Sequence, residues 1–257
     1  MGVLNEEIGA FLEQKAEEAG KSSLLFGFAD ASSIATVETN GSDLGNAISI
    51  ACALDASAVS TLSNGLSEEY YDDFCATKDF VSRVSEELAE FLQNKGYNAA
   101  PIDDPSLNVS PYPEIEEILD SLDTSFYDFS ILRIFAAYAG LGWVGKNGYI
   151  VTKHYGPAVA LGTVFTDAPV ECATEVFLSR CGRCKECAIV CPADAIDTGK
   201  VSPMYNIESM LDITACEKEC QRQSMEKLGK KVNLCGMCVF ACPYTKSYLR
   251  RKGQPHE

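Results

Sequence analysis

Basic residues are the scarce charge in this chain. Its 257 residues carry 21 Lys and Arg against 37 Asp and Glu, a formal net charge of −16. Nucleic-acid binding relies on Lys and Arg to neutralise phosphates, so this balance argues against a nucleic-acid partner. The densest basic groups are Lys227 to Lys231, then Lys246, Arg250, Arg251 and Lys252. They read as solvated helix faces and a tail. Long apolar runs are lacking too: none approaches the roughly 18 residues a membrane span needs. The opening MGVLNEEIGAFLEQK has neither a basic n-region nor an apolar h-region, so it does not read as a secretory signal. Glu6 stands where a myristoylation signal needs Ser or Thr. These absences point to a reducing cytoplasm, where thiols stay available to metal. Histidines number two, His154 and His256, read as a surface turn and a tail residue. There is no low-complexity linker, and no internal repeat beyond the cysteine runs.

Cysteine is what the chain has in abundance. Nine of its twelve cysteines lie between Cys181 and Cys242. Cys181-x2-Cys184-x2-Cys187-x3-Cys191-Pro192 matches the bacterial ferredoxin ligand run for a [4Fe-4S] cluster. Cys235-x2-Cys238-x3-Cys242-Pro243 is a second run, one ligand short, and Cys216 or Cys220 can complete it. Cluster iron takes soft thiolates in tetrahedral geometry, and two-residue gaps let one tight loop set three thiolates around a cubane. In two-cluster proteins the fourth cysteine of each run serves the other cluster. The expected sets are Cys181, Cys184, Cys187 and Cys242 for one cluster, and Cys191, Cys216, Cys235 and Cys238 for the other, with Cys220 as alternative to Cys216. Paired CxxC motifs also suit structural zinc, but zinc leaves the third cysteine and the Cys-Pro ending unexplained. Cys52, Cys75 and Cys172 fall outside ligand spacing and read as structural.

Apolar spacing gives the coarse organisation. Residues 4 to 19 predict a helix with Asn5 as N-cap and Gly20 as stop. Strands are expected at 24–28 and 47–54, with loops at 31–46 and 55–66. A long helix over 67–95 buries Val81, Val84, Leu88, Phe91 and Leu92. Residues 97–102 resume an extended path, and 103–113, with three prolines, read as irregular. A short helix near 115–122 and another over 129–139 follow. Four glycines between Gly140 and Gly148 permit close approach or unusual dihedrals. Residues 149–152 and 158–165 predict a hairpin around His154 to Pro157, and 206–229 a helix that puts Cys216 and Cys220 on one face. Strands separated by helices make residues 1–170 one mixed α/β domain, with 171–257 as the cluster domain.

AGLGWVGKNGYIVTKHYGPAVALGTVFTDAP, then CGRCKECAIVCPADAI and CGMCVFACP, resembles the epoxyqueuosine reductase-like proteins. That superfamily shares its double-cluster module with reductive dehalogenases. AISIACALD and FLQNKGYNAAPI extend the resemblance over most of the chain. It implies an α+β architecture: a cobalamin-binding, nitroreductase-like α/β domain, then a ferredoxin-like domain with two [4Fe-4S] clusters. It implies electrons passed from a donor such as ferredoxin or flavodoxin through the clusters to cobalamin or a small substrate. Gly140, Leu141, Gly142, Trp143, Gly145, Lys146 and Asn147 would then help build the corrinoid pocket, and His154 could in principle reach cobalt. One departure stands out. The acid that protonates substrate in the family falls, by ungapped count, on Phe126, leaving Asp123 and Asp128 as candidate catalytic residues. Ser130-Ile131-Leu132 replaces the Ser-His-Lys of shorter relatives. The missing acid keeps a second reading open, a non-catalytic electron carrier or reductive activator of a corrinoid protein, whose acidic surface suits a basic partner. A third is epoxyqueuosine reduction in tRNA.

Overall fold

The computed structural model describes residues 2–21, 24–111, 124–174, 178–198 and 211–252. They form a mixed α/β structure of two compact units, each assembled from separated stretches of chain. The first unit comprises Met1–Cys52, Lys78–Gly142 and Ala160–Phe177; the second Ala53–Thr77, Trp143–Val159 and Leu178–Glu257. The division therefore differs from the single boundary expected near residue 170: residues 53–77 and 143–159 group with the cysteine-rich stretch.

The first unit is built on a four-stranded sheet, in the order β1 (Leu24–Asp30), β4 (Asn46–Ala53), β9 (Val159–Thr166), β5 (Ala99–Pro101). β1 runs antiparallel to β4, with Phe26 opposite Ile50 and Phe28 opposite Ile48. Helix α1 (Val3–Glu18) contributes Ile8 and Leu12 to its core, and α3 (Glu68–Asn94) contributes Phe80, Val81, Val84, Leu88 and Leu92. Cys52 is buried in the same core. Gly162 allows β9 to lie close on α3, since a β-carbon there would come within 2.6 Å of Val81 and 2.7 Å of Ser85. Asn5 does not cap α1. It lies inside the helix, buried, and clamps Glu171 by donating to its carbonyl and accepting from its N–H, both at 3.0 Å.

The stretch expected as loop at 31–46 contains β2 (Ala35–Thr39) and β3 (Ser42–Asp43), and the proline-rich 103–113 contains β6 (Leu107–Pro111). These strands make a second sheet, ordered β3-β2-β6, with Val37 opposite Val109. β3 is two residues long, β6 ends on a proline, and β2 offers only Ala35 and Val37 as apolar residues, so periodicity missed them. Residues 55–66 are also not loop. Asp55 caps α2 (Ala56–Thr61) by accepting from the N–H groups of Ser57 and Ala58. Helix α4 (Thr124–Tyr138) contains the helix expected at 129–139 but begins five residues earlier and ends one residue sooner, and its Arg133 is fully buried. The helix expected at 115–122 lies outside the described residues.

The expected hairpin of 149–152 with 158–165 is not formed. β8 (Ile150–Thr152) pairs with β7 (Gly142–Val144), whereas β9 joins the large sheet. Thr152 and Gly156 exchange backbone hydrogen bonds at 3.0 Å and close a tight turn. Pro157 follows with no N–H to extend the ladder.

Candidate metal centre

The nine clustered cysteines sit on helices and in the turns beside them. Cys181 to Cys184 form a turn closed by Cys184 N–H donating to the Cys181 carbonyl at 2.9 Å, with Gly182 at φ +49°. Cys187 lies on α5 (Glu186–Ile189), and Cys191 just beyond it. Helix α6 (Ile213–Leu228) carries Cys216 and Cys220; Asp212 caps it, accepting from Ala215 N–H at 2.9 Å. Cys235 precedes α7 (Met237–Ala241), on which Cys238 lies. Cys242 precedes α8 (Pro243–Lys252), whose first residue is the proline, a position where the missing N–H costs nothing.

Electrostatics link these thiols in two adjoining, overlapping sets. Burial pushes the Cys187 thiol up to about 11, and Cys181, Cys184 and Cys242 add to the shift. Burial raises Cys242 as well, with Cys181 and Cys184 again contributing. Burial holds Cys238 well above the usual thiol range, followed by the charges of Cys235, Cys216, Cys187 and Cys191. Cys220 is the extra thiol: it shares hydrogen bonds with both Cys216 and Cys235. That contact raises Cys220 strongly, lowers Cys216 and lowers Cys235 to about 7. Cys220 is thus the proton donor between two sulfurs that favour the thiolate.

Backbone amides point at the same sulfurs. Ala195 N–H donates to Cys191 Sγ at 3.4 Å. Ala188 N–H serves Cys187, Met237 N–H serves Cys235, and Tyr244 and Thr245 N–H serve Cys242. Such donors stabilise thiolate charge and tune cluster potential. Among the described residues no three His, Cys, Asp or Glu side chains converge on one metal ion. An all-thiol donor set in two adjoining groups, each with amide donors, fits two [4Fe-4S] clusters.

Residues distant in sequence wall these groups. Leu54, Val59, Leu62, Leu66 and Tyr70 pack with Leu234 and Val239 in one buried cluster, joined by Cys238 and Tyr149 at its edge. Burial, then the charge of Cys238, keeps the phenols of Tyr70 and Tyr149 neutral. Gly236, at φ +81°, fits where a β-carbon would stand 2.7 Å from Tyr70 and 2.9 Å from Leu62. The spacing of Val59, Leu62 and Leu66 behind an Asp-Ala-Ser cap was the available signal for this wall.

The glycine-rich motif has local tasks. Gly140, at φ +76°, ends α4. Gly145 N–H donates to Tyr149 O, and Gly148 N–H to Gly145 O at 2.9 Å, making a β-turn of Gly145 to Gly148. Asn147 Oδ1 accepts from Tyr149 N–H at 3.4 Å. Lys146, 4% exposed, donates from Nζ to the carbonyls of Gly182 at 2.8 Å and Cys184 at 3.0 Å. Trp143 is buried against Tyr244, ring centroids 5.0 Å apart, with the Arg180 guanidinium 5.8 Å from its ring. Its indole N–H has no hydrogen-bond partner among the described residues. Leu141 and Gly142 are buried. These residues serve turns, packing and the cysteine loop, and none of these contacts requires a corrinoid. His154 is exposed in its turn. Cys172 donates to Asn46 Oδ1 at 3.3 Å, and Cys75 is half-buried. Asp123 and His256 lie outside the described residues; Phe126 and Asp128 are placed on α4 by backbone alone.

Residues 180–245 match the family model for a 4Fe-4S double cluster binding domain. Curated relatives include epoxyqueuosine reductases of Listeria monocytogenes, 31% identical over 44% of this chain, and Lactococcus garvieae, 34% identical over 43%. The matches span 29% and 31% of those proteins' lengths. Among solved structures, epoxyqueuosine reductase from Bacillus subtilis covers 94% of this chain and 67% of its own, at 16% identity and a TM-score of 0.53. A catabolic reductive dehalogenase covers 88% of this chain and 31% of its own, at 17% identity and a TM-score of 0.63. The fold is therefore shared with both groups, as the motifs implied.

Proposed function

We propose that this relative of the epoxyqueuosine reductases is an iron–sulfur reductase, taking electrons from a soluble one-electron donor and passing them through two [4Fe-4S] clusters to an acceptor held by its first unit. The observation that carries this reading is the gathering of the clustered thiols into two adjoining groups, each served by amide N–H donors. We assign Cys181, Cys184, Cys187 and Cys242 to one cluster, and Cys191, Cys216, Cys235 and Cys238 to the other. When bound, the clusters supply reversible one-electron storage. The chain holds the thiolates with backbone donors and excludes water from the second group with Leu62, Tyr70, Tyr149 and Val239.

A corrinoid is the first acceptor to test, because one structural relative performs B12-dependent dehalogenation. Anaerobically reconstituted protein is titrated with cob(II)alamin and followed by EPR and iron analysis. The expected result is about eight irons, four for each of two cubanes, with the cobalt signal changed to its base-off form. Eight irons with an unchanged cobalt signal would instead identify a ferredoxin-like carrier, or a different cofactor in the first unit.

Epoxyqueuosine reduction in tRNA is the second reading, favoured by the curated relatives' names and by a related structure holding an epoxyqueuosine-modified tRNA stem loop. Net charge alone does not decide against it. Residues 227–252 contain seven Lys and Arg and no Asp or Glu, so the bases are gathered locally. Restoration of queuosine in cells lacking their reductase would support this reading; its failure would remove it.

A further inference from the structure

We propose that Lys146 is a positioning residue for the first cluster, strapping its loop and raising its reduction potential. The inference rests on the cluster assignment above and concerns a residue that the family resemblance places in a corrinoid pocket. Lys146 is held at the second position of the Gly145–Gly148 turn. That turn is tightly specified: a β-carbon at Gly145 would meet Asn147 Oδ1 and Val151, both at 2.7 Å. From there Nζ reaches across to the Gly182 and Cys184 carbonyls, at 2.8 and 3.0 Å. Both carbonyls belong to the turn that sets Cys181 and Cys184. The contact joins residues 36 and 38 positions apart, so it fixes the loop against β7 and β8 rather than within itself.

The charge argument is independent of the strap. A lysine ammonium that is 4% exposed normally pairs with an anion, because an unpaired buried charge is strongly destabilising. Lys146 forms no ion pair among the described residues; its neighbours are carbonyl oxygens. The thiolates of Cys181 and Cys184, with the cluster they hold, supply the missing negative charge. Reduction adds one further electron to that anion. A fixed positive charge stabilises the reduced state more than the oxidised one, so it raises the midpoint potential, and removing it lowers the potential.

The test uses the full chain reconstituted anaerobically, with iron analysis and EPR-monitored redox titration. The first cluster's signal is the one a Cys181→Ala variant removes. Lys146→Met should lower the midpoint of that cluster and leave the second unchanged, and Lys146→Arg should return it towards wild type. No shift in Lys146→Met, or an equal shift of both clusters, overturns the proposal. If Lys146→Met fails to hold the first cluster, Lys146→Arg decides: recovery of the cluster supports the strap, and continued loss overturns it. Wild-type protein without [4Fe-4S] signals would refute the cluster assignment itself, an outcome distinct from an unshifted potential.

Discussion

Cys220 lies one helical turn beyond Cys216 on α6 and shares its thiol hydrogen with the Cys216 sulfur. The same thiol serves Cys235. The contact makes Cys216 the more anionic partner and Cys220 the protonated one. Spacing leaves either residue as ligand, and we propose Cys216.

Cys216→Ala is therefore expected to lose the second cluster, with iron falling from about eight to about four per chain. Cys220→Ala should keep both. Iron analysis with EPR of each variant checks this, and the reverse pattern would make Cys220 the ligand.

Metal-free protein should show graded thiol reactivity, because the thiolate is the nucleophile. Cys235, lowered to about 7, is about half ionised at pH 7; Cys187, raised to about 11, is almost wholly protonated. Iodoacetamide labelling of Cys235 should fall as pH drops through 7, approaching tenfold per unit further down. Cys187 should stay slow throughout the neutral range. Peptide mass mapping of labelling rates gives the readout, and equal rates would contradict the proton sharing with Cys220.

Gly236→Ala meets two obstacles at once. Its φ of +81° is left-handed, and the new methyl would press on Tyr70 and Leu62. Each obstacle costs about 1–3 kcal/mol. The expected outcome is a lower melting temperature of the loaded protein and faster bleaching of the cluster absorbance. A variant as stable as wild type would show that this wall yields freely.

A fragment of residues 171–257 contains every proposed ligand but lacks Leu62, Leu66, Tyr70, Lys146 and Tyr149. It should hold well under the wild-type iron after identical reconstitution. Full iron content in the fragment would mean that the cysteine-rich stretch is self-sufficient.

The sequence revealed most where local chemistry is strong. Thiol spacing announced the clusters, and the period of Val81, Val84, Leu88 and Leu92 announced α3. It revealed least where a residue acts over distance. Nothing local to Lys146 says that its amine reaches Cys184, and a glycine-rich stretch reads equally well as a ligand cradle or a pinned turn. Asn5 shows the same limit. An asparagine near a helix start is a common cap, yet here its side chain is taken by Glu171, 166 positions away. The hairpin failed because Thr152 spends its hydrogen bonds on Gly156, a competition that apolar alternation does not register.

The interleaving of the second unit also bears on biosynthesis. On the assigned ligand sets, the first cluster draws on Cys242, and the second on Cys235 and Cys238. The second donor set is whole only once Cys238 has left the ribosome, and the first only once Cys242 has. At elongation rates of about 5–20 residues per second, Cys181 emerges roughly 3–12 seconds before Cys242. Through that interval the nascent chain displays bare thiols, open to zinc, to oxidants and to one another. Iron delivery must follow translation, and anything that delays it selects for mismetallated protein.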